Sequence, residues 1–155
     1  MALDLTFVEG RMNHPEVKAL LRHHLSSAAE HSPPESRHAL NLDGLTHPDV
    51  TFWSVWEKEA LLGFCALKAL DAEHGEIKSM RVADAHQRRG VADAMMTHLI
   101  EASMRSGHQR LSLETGSMAA FDAARRLYAK HGFEPCAPFA EYTKDPNSVC
   151  LSRRI

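Results

Sequence analysis

The chain has 155 residues, with 18 Lys plus Arg against 20 Asp plus Glu for a formal net charge of -2. At 44% hydrophobic and 25% charged residues it has the composition of one globular domain, large enough to fold without a disulfide or a metal. This excludes intrinsic disorder, a collagen-like chain and a coiled coil, and the near-neutral balance argues against a dedicated nucleic-acid binder.

Leu3, Leu5 and Phe7 alternate and predict a first strand. Asn13-His14-Pro15 reads as a helix start, with Asn13 or His14 as cap and Pro15 in the first turn. Val17, Leu20, Leu21, His24, Leu25 and Ala28 follow at helical spacing until Ser32-Pro33-Pro34 breaks the pattern. Residues 36–49 read as a short helix, and Arg37, His38, Asn41 and Asp43 make it a candidate lining for a polar site. Residues 50–56 and 60–70 are apolar, β-rich runs separated by Glu57-Lys58-Glu59, which predicts a hairpin. A polar turn over 71–75 leads to a strand over 76–82. There Ile77 sits on one parity while Met80 and Val82 sit on the other. A β-bulge between Ile77 and Met80 would repair the alternation.

Val91, Met95, Leu99 and Ile100, with Ala92, Met96 and Ser103, form an apolar helical stripe that Gly107 ends. Leu111, Leu113 and Thr115 share one parity of a further strand. Phe121, Ala124, Leu127, Tyr128 and His131 form a second stripe, ended by Gly132. Residues 133–142 and 149–153 are the expected last strands, joined by Lys144-Asp145-Pro146-Asn147. The order from residue 50 is β, β, β, α, β, α, β, β, without repeat or linker. Residues 1–155 therefore read as a single α/β domain.

The 11 histidines are scattered, and Cys65, Cys136 and Cys150 form no CxxC. A zinc site is not expected, and the thiols read as reduced, buried groups of a cytoplasmic protein. No apolar run is long enough to span a bilayer, so a membrane is not an expected partner, and on its net charge of -2 neither is nucleic acid.

The informative stretch is Met80-Arg-Val-Ala-Asp-Ala-His-Gln-Arg-Arg-Gly-Val-Ala92, where a strand ends and a helix opens at Arg88-Arg89-Gly90. Exposed amides at a helix start attract anions, Gly90 allows close backbone approach, and two arginines add charge. The residues alone predict a phosphate or pyrophosphate site, against the alternative of an ordinary turn with a solvated arginine pair.

Gln87-Arg-Arg-Gly-Val-Ala92 resembles the Gln/Arg-x-x-Gly-x-Gly/Ala signature of the GCN5-related N-acetyltransferases (GNAT). Ala124-Arg-Arg-Leu-Tyr-Ala-Lys-His-Gly-Phe-Glu134 resembles a later helix of that family, A-x-x-L-Y-x-x-x-G-F, and the two motifs stand in the family's order. The resemblance covers roughly residues 50–134. It implies a mixed, mostly antiparallel twisted sheet of about six to seven strands flanked by about four helices. It also implies transfer of acetyl from acetyl-CoA to an amine, with no metal.

Carried over residue by residue, the resemblance assigns the pyrophosphate to the backbones of Gln87, Arg88, Arg89, Gly90, Val91 and Ala92. It assigns the pantetheine arm to the bulged strand at Met80, Arg81 and Val82, where a backbone N–H would also polarise the thioester carbonyl. Tyr128 stands where the family has a tyrosine that protonates the departing thiolate; the alternative is a core residue of its stripe. Glu76 stands upstream of Gln87 at the position of the catalytic glutamate in related histone acetyltransferases. The alternative is a strand residue paired with Lys78. Glu114 is the rival base, and His38 and His74 are further candidates. Many members carry Asn where this chain has Phe121, so either Phe121 packs on the pantetheine or Ser117 supplies the polar contact.

Tyr142, Asn147 and Ser148 could reach the acceptor, although Asp145-Pro146-Asn147 is also good turn chemistry. His23, His24, Arg37 and Arg126 favour an acceptor that bears a carboxylate. The expected acceptor is a small-molecule amine. The competing readings are a protein or peptide N-acetyltransferase and an acyl-CoA sensor without turnover. Homodimers are common in the family.

Overall fold

The computed structural model describes residues 3–31 and 42–155, with backbone alone at 28–31, 42 and 43. Arg37, His38 and Asn41 lie outside the described residues. A single seven-stranded sheet runs in the order β1-β2-β3-β4-β5-β7-β6. Its strands are β1 (Thr6–Glu9), β2 (Val50–Glu57), β3 (Ala60–Ala69), β4 (His74–Val82), β5 (Arg110–Gly116), β6 (Glu134–Pro135) and β7 (Ser148–Arg154). The helices are α1 (Pro15–His31), α2 (Leu42–Leu45), α3 (Val91–Arg105) and α4 (Asp122–Lys130). Every neighbouring pair of strands is antiparallel except β4 and β5. This is the expected mixed, mostly antiparallel architecture. No described helix is long and apolar enough to cross a membrane.

Alternating side chains give the sheet two apolar faces. On one, Trp53, Val55, Leu62, Cys65, Ile77, Leu111, Leu113 and Leu151 pack against Val91, Met95, Met96 and Leu99 of α3. On the other, Phe52, Trp56, Phe64 and Ala66 pack under Val17, Leu20 and Leu21 of α1 and Leu45 of α2. His14 caps α1, its Nδ1 accepting the Glu16 amide at 3.2 Å, and Pro15 opens the helix as expected.

The bulge stands where the broken alternation placed it. Ala66 pairs with Ser79 and Leu67 with Ile77, so Lys78 is the extra residue. β4 is also longer than expected, starting at His74 inside the anticipated turn.

Four expectations need correction. The first strand starts at Thr6; Leu3 and Leu5 precede it but still pack on the α3 core. The expected strand over 133–142 is only Glu134–Pro135, with one further ladder bond from the Cys136 amide to the Cys150 carbonyl at 2.9 Å. Pro135 and Pro138 have no N–H to offer a ladder, so the chain leaves the sheet edge and folds back over its face. On that edge Cys136 is exposed rather than buried, while Cys65 and Cys150 are buried free thiols. Phe121 closes a short 3-10 turn, Ala119–Phe121, and caps α4 instead of lying within it.

Close backbone packing holds β3 on β4. A Cβ on Gly63 would collide with the Arg81 carbonyl oxygen and with Met95 Cε. Gly63→Ala should therefore cost at least about 2 kcal/mol through forced backbone movement. Urea denaturation would show this as a lower midpoint, and an unchanged midpoint would mean that the sheet yields easily there.

Candidate functional site

The loop after β4 turns through a 3-10 segment, Asp84–His86, and enters α3 at Gly90. Arg88 and Gly90 both have positive φ, 63° and 86°. A side chain at Gly90 would have room but a strained backbone, because that conformation favours glycine. The first α3 amide to find an acceptor is that of Ala94, which bonds the Gly90 carbonyl at 3.1 Å. No side chain caps the helix. The amides of residues 88–93 thus have no acceptor among the described residues and form a positive concavity at a helix N-terminus. Arg89 is anchored by Glu57, with Nη2 at 2.9 and 3.1 Å from its two carboxylate oxygens. Arg88 is exposed beside it. At the far side of the first turn, Asp93 accepts His131 Nε2 at 2.8 Å and pairs with Lys130 at 3.0 Å, tying α3 to the end of α4.

β4 and β5 stay paired only from His74↔Arg110 to Ile77↔Leu113. Beyond that point β4 keeps its β3 partner, but its other edge has no strand beside it. Met80, Arg81 and Val82 lie on this open edge, which leads into the helix-start loop. Glu114 is the first β5 residue past the parting.

On the sheet face away from α3, polar side chains form a connected layer. His74 Nε2 lies 2.6 Å from Ser112 Oγ, which lies 2.9 Å from Ser152 Oγ, and Arg110 donates to Ser152 at 2.8 Å. Phe139 and Tyr142 of the returning segment cover this layer, with Phe139 over His74 and Tyr142 against Phe139. Glu76 is 2% exposed. It accepts the Tyr142 hydroxyl at 2.5 Å and pairs with Lys78 Nζ at 3.5 Å. Lys78 in turn donates to the Tyr142 hydroxyl at 2.9 Å. An open cleft of about 700 Å³ adjoins this cluster, lined by Asp49, Lys68, Asp71, His74, Lys78 and Tyr142 among others.

Glu114 has a different setting. Ser148 Oγ donates to its Oε2 at 2.6 Å, and burial pushes its carboxyl up to about 7. Tyr128, on α4, is pushed up to about 12 by burial and by the Glu114 charge, so the two groups sense each other across the parting of the strands. The Tyr128 hydroxyl has no hydrogen-bond partner among the described residues, although its ring packs on the α3-side core.

The structure thus brings together Glu76, Lys78, Tyr142, Glu114 and Tyr128 near the parting, with Met80, Arg81, Val82 and residues 87–92 along one continuous edge. Phe121 packs its ring on the Gly116 backbone at the end of β5. The Ser117 hydroxyl donates to the Pro146 carbonyl at 2.7 Å. Asn147 belongs to a turn in which Asp145 Oδ1 accepts its amide at 2.9 Å, so the turn chemistry explains its place. Arg126 is exposed on α4. Sequence reasoning paired Glu76 with Lys78 but missed the Tyr142 bond, which joins side chains 66 positions apart.

The acetyltransferase (GNAT) family model matches residues 17–133. The uncharacterized N-acetyltransferase YsnE of Bacillus subtilis (strain 168) is 52% identical over 140 residues, 90% of this chain and 93% of that protein. The uncharacterized N-acetyltransferase YedL of Escherichia coli (strain K12) is also 52% identical, covering 91% of this chain and 89% of that one. Among solved structures, a Bacillus subtilis acetyltransferase in complex with CoA shares the fold at a TM-score of 0.75. It is 18% identical, with 98% of this chain and 99% of that chain covered.

The raised Glu114 carboxyl has a consequence for pH. Between the ordinary 4.5 and about 7, the unfolded chain has released a proton that the folded chain still holds. Folding stability contributed at this group therefore falls as pH rises through that window. Thermal melts of wild type and Glu114→Gln from pH 4.5 to 8 should diverge, with wild type losing more stability on the alkaline side. Parallel curves would remove the raised carboxyl.

Proposed function

As a member of the acetyltransferase (GNAT) family the chain is an N-acetyltransferase, and we propose that it moves the acetyl group of acetyl-CoA onto the amine of a small-molecule acceptor. The parting of β4 from β5 beside a helix start with free amides carries this reading. It combines an extended edge that can pair with an amide-bearing arm and an anion site at its end. The CoA complex of the Bacillus subtilis fold neighbour supports the same donor.

The chain's residues fit this donor. The amides of residues 88–92 and the Arg88 charge would hold the pyrophosphate, with Gln87 leading into the turn and Glu57 steadying Arg89. Met80, Arg81 and Val82 would offer backbone groups to the pantetheine arm, with Phe121 beside the end of β5. Acetyl-CoA supplies an electrophilic acyl carbon and a thiolate leaving group.

The acceptor amine forms the new C–N bond as the C–S bond breaks, without a covalent intermediate on the protein. An amine is mostly protonated at neutral pH, so a base must first take its proton. Glu114 suits this task better than Glu76, because a carboxyl near 7 is matched to the working pH. Glu76 is already engaged by Tyr142 and Lys78, and its role is to position them. Tyr128 retains its phenolic proton and gives it to the departing sulfur.

Two experiments test this reading. Acetyl-CoA at about 100 times its Kd should raise the melting temperature by on the order of 5–10 °C, with ATP and NAD as controls. Gly90→Val should lose most of that rise, because its backbone cannot easily hold the positive φ. An equal rise with ATP, or a normal rise in Gly90→Val, would defeat the donor-site assignment. Tyr128→Phe should keep the thermal rise but lower kcat about 100-fold. Undiminished turnover would return Tyr128 to the core.

A further inference from the structure

Among the described residues, four buried polar side-chain atoms lack a hydrogen-bond partner: His24 Nδ1, Ser79 Oγ, Arg81 Nε and His98 Nε2. His98 stands apart, its ring stacked on Phe7 and edge-on to Trp53 in the α3 core. The other three meet on the opposite face. Ser79 pairs with Ala66 and Arg81 with Phe64, which puts both side chains on the α1 side of β4. His24 comes down from α1 onto Phe64, ring edge to ring face at 5.4 Å. It lies close enough to Arg81 to sense that charge.

A buried donor without a partner has given up its hydrogen bonds to water and gained none in return. Three such groups on one patch are a standing cost that a ligand would offset. Ser79 is 3% exposed, so bulk water does not compensate its hydroxyl. The outer end of Arg81 is only loosely engaged, with Nη2 at 3.5 Å from Asp84, a carboxylate that is 67% exposed. His23 Nε2 shares the same Asp84 at 3.4 Å, so His23 is turned outward and not toward the patch. Burial pushes the His24 ring down to about 4, so near neutral pH it contributes one N–H and no charge. The positive charge of the patch is that of Arg81.

We infer that Arg81, Ser79 and His24 form an oxyanion subsite for the acceptor, so that the preferred substrate is an amine carrying a carboxylate or a phosphonate. A guanidinium edge of Nε and one Nη matches two oxygens of either group. The Ser79 hydroxyl and a His24 N–H add single donors. The subsite lies just past the bulged Lys78, on the β4 segment that has left β5. This replaces the His23, His24, Arg37 and Arg126 set suggested by charge alone. The inference rests on the N-acetyltransferase reading with Glu114 at the parting.

A panel of acetyl acceptors in three arms tests it: free amino acids and aminoalkylphosphonates, the amides of the same amino acids, and polyamines with no anionic group. Wild type should favour the anionic arm over the amides by at least tenfold in kcat/KM. Comparison within that arm tells carboxylate from phosphonate. Arg81→Lys keeps a charge but loses the forked geometry, and should reduce the acid-to-amide ratio at least tenfold. Ser79→Ala should reduce it severalfold. Amides or polyamines turned over as well as acids, or a full preference in Arg81→Lys, would overturn the subsite and leave the acetyltransferase reading standing. No transfer in any arm, together with no thermal response to acetyl-CoA, would overturn that reading itself. A second readout needs no turnover. With CoA present, N-acetylated amino acids should raise the melting temperature of wild type but not of Arg81→Lys, and their amides should raise neither; equal responses to acid and amide count against the subsite.

Discussion

The site depends on one extra residue. Lys78 is inserted into β4 opposite the Ala66/Leu67 step, while β4 keeps its long pairing with β3. A bulge adds bend and local twist to the strand that carries it. β4 is at the same point the first half of the sheet's only parallel pair, and that pair ends at Ile77↔Leu113. The strand is thus anchored on one edge and released on the other. Both the open edge and the place of Glu114 at the start of the gap follow from that parting.

The two faces then give the gap two kinds of wall. On the α3 side a continuous apolar core of Met95, Leu99, Leu111 and Leu113 fixes the strand ends. The Asp93 link to His131 and Lys130 holds α4, and so Tyr128, in place against the start of α3. On the face away from α3, the wall beside the gap is polar and hydrogen-bonded, while the apolar core under α1 lies over β2 and β3. His74, Ser112, Ser152 and Arg110 form a hydrogen-bonded run, with Phe139 against His74. Two glutamates a few residues from the parting meet opposite conditions. Glu76 has a hydroxyl and an ammonium close to one carboxylate oxygen. Glu114 has a serine hydroxyl but also a desolvated position that raises its carboxyl to about 7. The two carboxyls differ in environment, not in residue type.

Much of this could be read from local sequence. The parity conflict between Ile77 and Met80 located the bulge because strand alternation is a strict two-residue rule, and a single break has few remedies. The helix start at Gly90 was legible because a glycine after two arginines at a strand-to-helix turn has a specific backbone purpose, which its φ of 86° bears out. The segment after Phe133 was misread, although Pro135 and Pro138 warned against a long strand. Its apolar and aromatic residues serve to cover a polar layer, and alternation does not distinguish that from pairing in a sheet.

What the sequence determined by itself is what short-range rules control: helix stripes, caps, strand parity, the bulge and the glycine turn that opens α3. From these follows the α/β class of the fold, while the resemblance to the acetyltransferases came from the two motifs. Only the tertiary structure decided what surrounds the polar side chains. It set Tyr142 on Glu76, left Arg81 Nε, Ser79 Oγ and His24 Nδ1 on one face of the sheet without hydrogen-bond partners, and desolvated Glu114 but satisfied Glu76. Desolvation and hydrogen-bond satisfaction are sums over neighbours brought in from distant parts of the chain. No local pattern contains those sums, so they come into being only when the sheet, α1 and the returning segment have closed on one another.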